Sequence, residues 1–136
     1  MVYGPGQQDL SKLIPYSILS ALKGEKPRIS SGVRMVDWIY IDDLVNGLIS
    51  MMTAPGIDGE TIELGSGKVI SVKDIVVKVT HMINDKLDPV IGSVEDRPLE
   101  QEDRANVSMT QSQIGWSPQF ELEDGLRNTI EHFKKK

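Results

Sequence analysis

Cysteine is absent from the 136 residues, which excludes disulfide bonds and thiolate chemistry. A chain without cysteine suits a reducing compartment, and we expect a cytoplasmic protein. No apolar run approaches the roughly 20 residues that a membrane-spanning helix needs, and the first residues do not form a signal-peptide pattern. We therefore expect no membrane partner.

Clustered positive charge and histidine are also scarce. The formal net charge is −5, and the 15 Lys and Arg residues are scattered except at residues 134–136. A nucleic-acid surface needs clustered positive charge, so we expect no nucleic-acid partner. The two histidines, His81 and His132, have no neighbouring ligand or nucleophile in the sequence. We predict no metal site and no catalytic residue.

What remains is an ordinary globular composition, 39% hydrophobic and 26% charged. A chain of this length forms one domain with a sizeable core, so we assign residues 1–136 to a single domain. Apolar spacing predicts helices within residues 10–22, with Pro15 in the first turn, and over residues 71–83, 110–114 and 122–133. Short strands are predicted at residues 61–64 and 90–91. The fold class is therefore mixed α/β (α+β-like), a small sheet with several helices.

The central stretch is the run GVRMVDWIYIDDL at residues 32–44. Aromatic and β-branched residues at 38–41 predict a strand, and the apolar spacing at residues 44–49 predicts a helix. Asp42 or Asp43 stands where a helix N-cap is favoured. An acid/base dyad is the other interpretation, but adjacent side chains diverge on a strand and on a helix, so we predict the cap.

A glycine-rich run, LGSGKVIS at residues 64–71, resembles a phosphate loop only superficially. It lacks the third glycine of a dinucleotide fingerprint and the spacing of a Walker loop. We predict a tight turn that leads to Ser71, which caps the following helix together with Asp74.

Four motifs carry a family resemblance: VYGPGQ at 2–7, DWIYIDD at 37–43, DRP at 96–98 and GWSP at 115–118. Their order resembles the C-terminal portion of the NAD-dependent epimerase/dehydratase family, extended short-chain dehydrogenases/reductases that act on nucleotide sugars. The resemblance runs from Val2 to about Phe133. It implies the C-terminal part of an extended short-chain dehydrogenase/reductase without its N-terminal Rossmann core, and a Met1 that is internal to the parent sequence. Residues 38–49 and 61–64 would then lie on the Rossmann layer.

The resemblance also implies a site for the nucleotide diphosphate of a sugar nucleotide. Val36 stands where the family carries a phosphate-binding arginine, and Arg34, two residues earlier, would replace it. The implied substrate-binding residues are Lys12, Leu13, Pro27, Ile29, Arg34 and Arg97. Without the family, Lys12 is an ordinary surface residue, Leu13 a core residue, and the segment around Arg97 a solvated loop.

The residues that perform the family's redox chemistry are not in this sequence. The glycine-rich dinucleotide loop is absent, and none of the three tyrosines is followed four positions later by a lysine. We expect no NAD(P) cofactor and no catalysis from this chain alone, although the family uses NAD(P).

Three functions stay open. The first is the truncated or stand-alone substrate-binding portion of a nucleotide-sugar epimerase or dehydratase; the second is a non-catalytic, self-associating interaction module. The third is an enzyme completed by a separate Rossmann half. We also expect this chain to form a two-fold homodimer. The apolar faces of residues 44–49 and 75–83 and the edges of strand 61–64 would otherwise be exposed without the Rossmann elements that cover them in the family.

Overall fold

The computed structural model describes residues 1–96 and 104–135, which form five helices and four short strands. The mixed α/β class is confirmed. In chain order, the elements are β1 Val2–Tyr3, α1 Leu13–Leu22, β2 Met35–Asp37, β3 Ile39–Tyr40, α2 Ile41–Thr53, β4 Val69–Ser71, α3 Val72–Ile83, α4 Val107–Ile114 and α5 Leu122–Lys134.

The strands form two separate pairs. β1 runs parallel to β3, with Tyr3 opposite Tyr40, and β2 runs antiparallel to β4, with Val36 opposite Ile70. The predicted strand over residues 38–41 is therefore interrupted, because the chain changes its pairing partner at Trp38 and enters α2 at Ile41. These strands are only two or three residues long.

The core lies where α1, α3 and α5 pack together. Ile18, Ile75 and Leu126, one from each helix, are completely buried. The prediction that residues 75–83 leave an apolar face exposed is wrong, because Val79 and its neighbours on α3 turn into this core. At roughly 25 cal/mol per Å2 of buried apolar area, such burial holds a β-branched helix that has poor intrinsic propensity.

The predicted strand at residues 61–64 is also wrong: within the described residues this segment is irregular. Its polar groups are bonded to the first turn of α4 instead. Thr110 Oγ1 donates to the Glu63 carbonyl at 2.7 Å, and the Asn106 amide donates to Glu63 Oε2 at 2.9 Å.

Two predicted helix ends are confirmed. The Ser71 side chain accepts the Asp74 amide at 3.0 Å, as an N-cap does. Gly115 ends α4 in the left-handed conformation at φ 66°, which glycine adopts without strain. Within residues 1–96 and 104–135, no helix has the length and apolar character needed to cross a membrane.

The predicted cap of α2 by Asp42 or Asp43 is wrong, because the helix begins at Ile41 with Tyr40 as its N-cap. Both aspartates lie in the first turn, where the helix dipole favours a carboxylate. Asp42 is exposed to solvent, whereas Asp43 is buried and turned away from its own helix. The two side chains diverge, as predicted.

Candidate functional site

A backbone strip forms where residues 27–31 run alongside residues 90–93. The Val90 amide donates to the Pro27 carbonyl at 2.8 Å, and the Ile29 amide donates to the Val90 carbonyl at 3.0 Å. The Ser93 amide then donates to the Ile29 carbonyl at 3.0 Å, and Arg28 pairs with Val90 in a parallel bridge. Two segments more than 60 positions apart are thereby fixed in one register.

Side chains tie both ends of this strip to the rest of the molecule. At one end, the Tyr16 hydroxyl of α1 accepts the Arg28 amide at 3.0 Å. Lys12 lies one helical turn before Tyr16, with its carbonyl accepting the Tyr16 amide at 2.9 Å. At the other end, Asp96 Oδ1 accepts the Ser31 amide at 3.0 Å and the Ser31 hydroxyl at 2.9 Å.

Four of the predicted substrate-binding residues lie on these elements. Lys12 is exposed, with its ammonium 3.7 Å from the Asp9 carboxylate. Leu13 is half-buried and packs against the core, and Pro27 and Ile29 are buried. The structure thus brings the start of α1 and residues 27–29 to one region, but it directs the three apolar side chains inward.

Arg34 follows the strip on a loop that is anchored to α3. The Lys73 amide donates to the Gly32 carbonyl and the Val72 amide to the Arg34 carbonyl, both at 2.9 Å. Gly32 has φ 68°, and a Cβ there would lie 2.8 Å from the Lys73 nitrogen, so this close approach requires glycine. The last predicted residue, Arg97, lies outside the described residues.

Asp37 is a buried polar centre that the sequence analysis missed. Its Oδ1 accepts the Ser66 amide at 2.7 Å and the Ser66 hydroxyl at 2.6 Å, and its Oδ2 accepts the amides of Gly67 at 2.9 Å and Ala105 at 3.1 Å. The amides of the glycine-rich turn therefore bind a carboxylate of their own chain. A buried aspartate needs several hydrogen-bond donors. The position of Asp37 directly before the apolar residues 38–41 was the sequence signal that could have indicated this role.

Asp43 acts in the same way further along the chain. Its Oδ1 accepts the Gln119 amide at 2.8 Å and its Oδ2 accepts the Phe120 amide at 3.0 Å. This contact joins α2 to the segment that leads into α5. Asp37 and Asp43 are thus acceptors for loop backbone rather than acid/base groups that face a cleft.

Chemically, the surface around the strip offers the Lys12 ammonium, serine hydroxyls and the carboxylates of Asp9 and Asp96. Hydrogen bonds from Ser31 and Ser30 lower the pKa of Asp96. Among the described residues, no three histidine, aspartate or glutamate side chains meet as a metal site would require. Such a surface is suited to binding a polar ligand.

Part of this sequence is similar to a known protein family. Residues 1–65 match the NAD dependent epimerase/dehydratase family. Over these residues the chain is similar to members of that family. It is 31% identical to the dTDP-glucose 4,6-dehydratase of Shigella flexneri over 140 residues, covering 96% of this chain and 38% of the dehydratase. The enzyme of the same name from Neisseria gonorrhoeae is 28% identical, with 96% of this chain and 41% of the enzyme covered.

Solved structures of epimerases have the same fold. The UDP-glucose 4-epimerase of Thermotoga maritima with UDP-glucose superposes with a TM-score of 0.85 at 26% identity, covering 98% of this chain and 43% of the epimerase. The UDP-glucuronic acid 4-epimerase of Bacillus cereus in complex with NAD gives 0.81 at 25% identity, with 99% and 42% covered. The chain therefore spans about two fifths of the length of the proteins that it matches.

Proposed function

We propose that this chain is the C-terminal, substrate-binding portion of an NAD-dependent nucleotide-sugar epimerase or dehydratase. Residues 1–136 act as one domain that binds the nucleotide diphosphate of a sugar nucleotide. The observation that carries this proposal is the backbone strip, which holds residues 27–31 beside residues 90–96. The Thermotoga maritima relative solved with UDP-glucose supports the class of ligand.

Within this proposal, Arg97 pairs with the diphosphate, because a planar guanidinium binds phosphate oxygens in a bidentate manner. Lys12 and Arg34 add positive charge from the start of α1 and from the loop before β2. The apolar base of the site consists of Leu13, Pro27 and Ile29, whose side chains are half-buried or buried.

Ligand titration tests the proposal directly. We expect the chain to bind one or more of UDP-, dTDP- and GDP-sugars, measured by calorimetry. Arg97→Ala should weaken binding by about 1.5–3 kcal/mol, the scale of a hydrogen bond to a charged group. Arg127→Ala, at an exposed position on α5, is the control and should bind like wild type. Equal affinity of Arg97→Ala and wild type would remove Arg97 from the site.

The same proposal predicts no turnover and no NAD affinity from these 136 residues. The sequence contains neither a glycine-rich dinucleotide loop nor a Tyr-x-x-x-Lys pair. A saturable, stoichiometric NAD titration in the micromolar range would contradict this expectation.

The second candidate is a non-catalytic, self-associating interaction module, which the surface of α2 favours. Val45, Leu48, Ile49 and Met52 expose 43%, 49%, 55% and 84% of their surface. Apolar side chains concentrated on one exposed helix are typical of an interaction surface. The same surface would fit a separate Rossmann half, and co-purification with such a protein tests that form of the proposal.

A further inference from the structure

We infer that Asp58, in the turn between α2 and residues 61–64, is a site of spontaneous isoaspartate formation in the folded protein. Asp58 directly precedes Gly59. Glycine has no Cβ, so its backbone nitrogen approaches the preceding side chain with less obstruction than that of any other residue. The site needs no ligand and is independent of the proposed function.

The modification is an isomerisation of the chain itself. The Gly59 nitrogen attacks Cγ of the Asp58 carboxyl group, a C–N bond forms, and one water molecule leaves with a carboxyl oxygen and the amide proton. Water then opens the resulting five-membered succinimide at one of its two carbonyls. Opening at the side-chain carbonyl returns aspartate, whereas opening at the main-chain carbonyl routes the backbone through Cβ and Cγ. The step requires no oxidant and no cofactor.

The turn leaves both reacting groups accessible. The Glu60 amide donates to the Ile57 carbonyl at 3.0 Å, which closes a turn with Asp58 and Gly59 at its two central positions. Both residues are exposed, and a Cβ at Gly59 would meet nothing within 4 Å. Within residues 1–96 and 104–135, the Asp58 carboxylate and the Gly59 amide take part in no hydrogen bond or ion pair. Neither group must therefore leave a partner before the ring closes.

The same dipeptide occurs a second time, inside α5. Asp124 is also exposed, but the Gly125 amide donates to the Glu121 carbonyl at 3.1 Å and Gly125 is buried. A helical backbone holds this nitrogen in a hydrogen bond along the helix axis, away from the preceding side chain. The first turn of α5 must therefore open before a ring can close at Asp124.

The sequence alone favours a third position over both of these. Asn46 precedes Gly47, and an asparagine amide closes the same ring, with loss of ammonia, more readily than a carboxylate does. Both residues lie in the middle of α2, where each backbone amide donates to the carbonyl four residues earlier, and Gly47 is buried. The structure therefore reverses the order that the sequence favours, so that Asp58 reacts while Asn46 is protected.

The test is incubation of the full chain near neutral pH and below its melting temperature, followed by tryptic digestion. The peptides are then labelled with a protein isoaspartyl methyltransferase and isotopically labelled S-adenosylmethionine. Trypsin releases Asp58 within residues 35–68 and Asp124 within residues 105–127. We expect label in residues 35–68 to accumulate at least about tenfold faster than label in residues 105–127, because α5 must first open locally. Deamidation of Asn46 changes the mass of its peptide, whereas isomerisation of Asp58 does not.

Two controls separate structure from sequence. Asp58→Glu keeps the charge but lengthens the side chain by one methylene, which prevents closure of the five-membered ring. This variant should lose the label in residues 35–68. In urea, where α5 is unfolded, the peptides with Asp58 and Asp124 should gain label at comparable rates.

Several results would overturn the assignment of Asp58. Equal labelling of the two peptides from the folded chain would show that the turn gives Asp58 no advantage. Label that persists in residues 35–68 of Asp58→Glu, or a mass change at Asn46 that precedes the label, would place the reaction elsewhere. Resistance of Asp124 in urea would show that α5 is not what protects it.

Discussion

At the scale of single residues, buried carboxylates connect distant parts of this chain. Asp43 is 1% exposed and accepts two consecutive amides, those of Gln119 and Phe120, while its neighbour Asp42 is open to solvent. A hydrogen bond to a charged group contributes about 1.5–3 kcal/mol to stability. Adjacent aspartates therefore have unequal importance for stability.

Asp43→Asn should lower the free energy of unfolding by about 1.5–3 kcal/mol. Asparagine retains one acceptor oxygen, but its amide group must face one of the two backbone N–H donors. Urea unfolding followed by circular dichroism measures the change. Asp42→Asn makes the same chemical substitution on the surface and should stay within about 0.5 kcal/mol of wild type. Equal effects of the two variants would contradict the role of Asp43.

The Tyr3 phenol predicts a loss of stability at alkaline pH. Tyr3 is buried and donates to the Leu122 carbonyl at 3.2 Å, and burial raises the pKa of Tyr3 above its ordinary value. An acid whose pKa is raised on folding contributes stability that is complete below the unfolded pKa, about 10, and is lost as the pH rises beyond it. The melting temperature of wild type should therefore fall more steeply above pH 10 than that of Tyr3→Phe. Parallel curves for the two proteins would refute this explanation.

At the scale of elements, α5 lies unusually close to the β1–β3 pair. A Cβ built at Gly125 would be 2.2 Å from the Tyr3 hydroxyl oxygen and 2.8 Å from Tyr40 Cδ2. Gly47, on α2, would place its Cβ 2.7 Å from Leu64 Cδ2, the end of a flexible side chain. The two helical glycines thus differ in how readily their neighbours move.

Gly125→Ala should destabilise the protein by about 1–3 kcal/mol, the usual cost of overpacking, against a gain in helix propensity of at most about 1 kcal/mol. Gly47→Ala is the matched comparison and should cost less, since Leu64 can change rotamer. Chemical denaturation of both variants measures the difference. A larger loss of stability for Gly47→Ala would show that Tyr3 and Tyr40 move aside more easily than Leu64.

The helices were easier to predict from the sequence than the strands. Ten or more residues of apolar spacing identify α1, α3 and α5, and Ser71 and Gly115 identify two ends. Strands of two or three residues contain too little alternation to be recognised. Residues 61–64 have suitable side chains for a strand, yet their hydrogen bonds go to α4.

The candidate site was predictable only in part, for a related reason. The resemblance named residues on α1 and in residues 27–34, and the structure brings those two segments together. The strip that joins them to residues 90–93 consists of backbone hydrogen bonds, which no residue pattern specifies. Asp37, Asp43 and Asp96 were missed as connectors because their donors lie 29 to 77 positions away.

At the scale of the whole molecule, burial is divided unequally among the helices. α1, α3 and α5 share the core, whereas the buried residues of α2 are Asp43 and Gly47. Its apolar residues Leu48 and Met52 remain largely exposed. Soluble monomers rarely expose an apolar patch of large area, so this face of α2 favours association.

We expect the chain to form a two-fold dimer through α2, since a closed two-fold contact buries the same face of both copies. Light scattering at micromolar concentration should then give a mass of twice 15.1 kDa. Leu48→Gln combined with Met52→Gln should shift the protein to the monomer, because the contact loses apolar area that contributes roughly 25 cal/mol per Å2. Val33→Gln changes an equally exposed apolar residue outside α2, 74% exposed, and should leave the dimer intact. A 15.1 kDa species for wild type would show that the exposed face of α2 does not drive self-association.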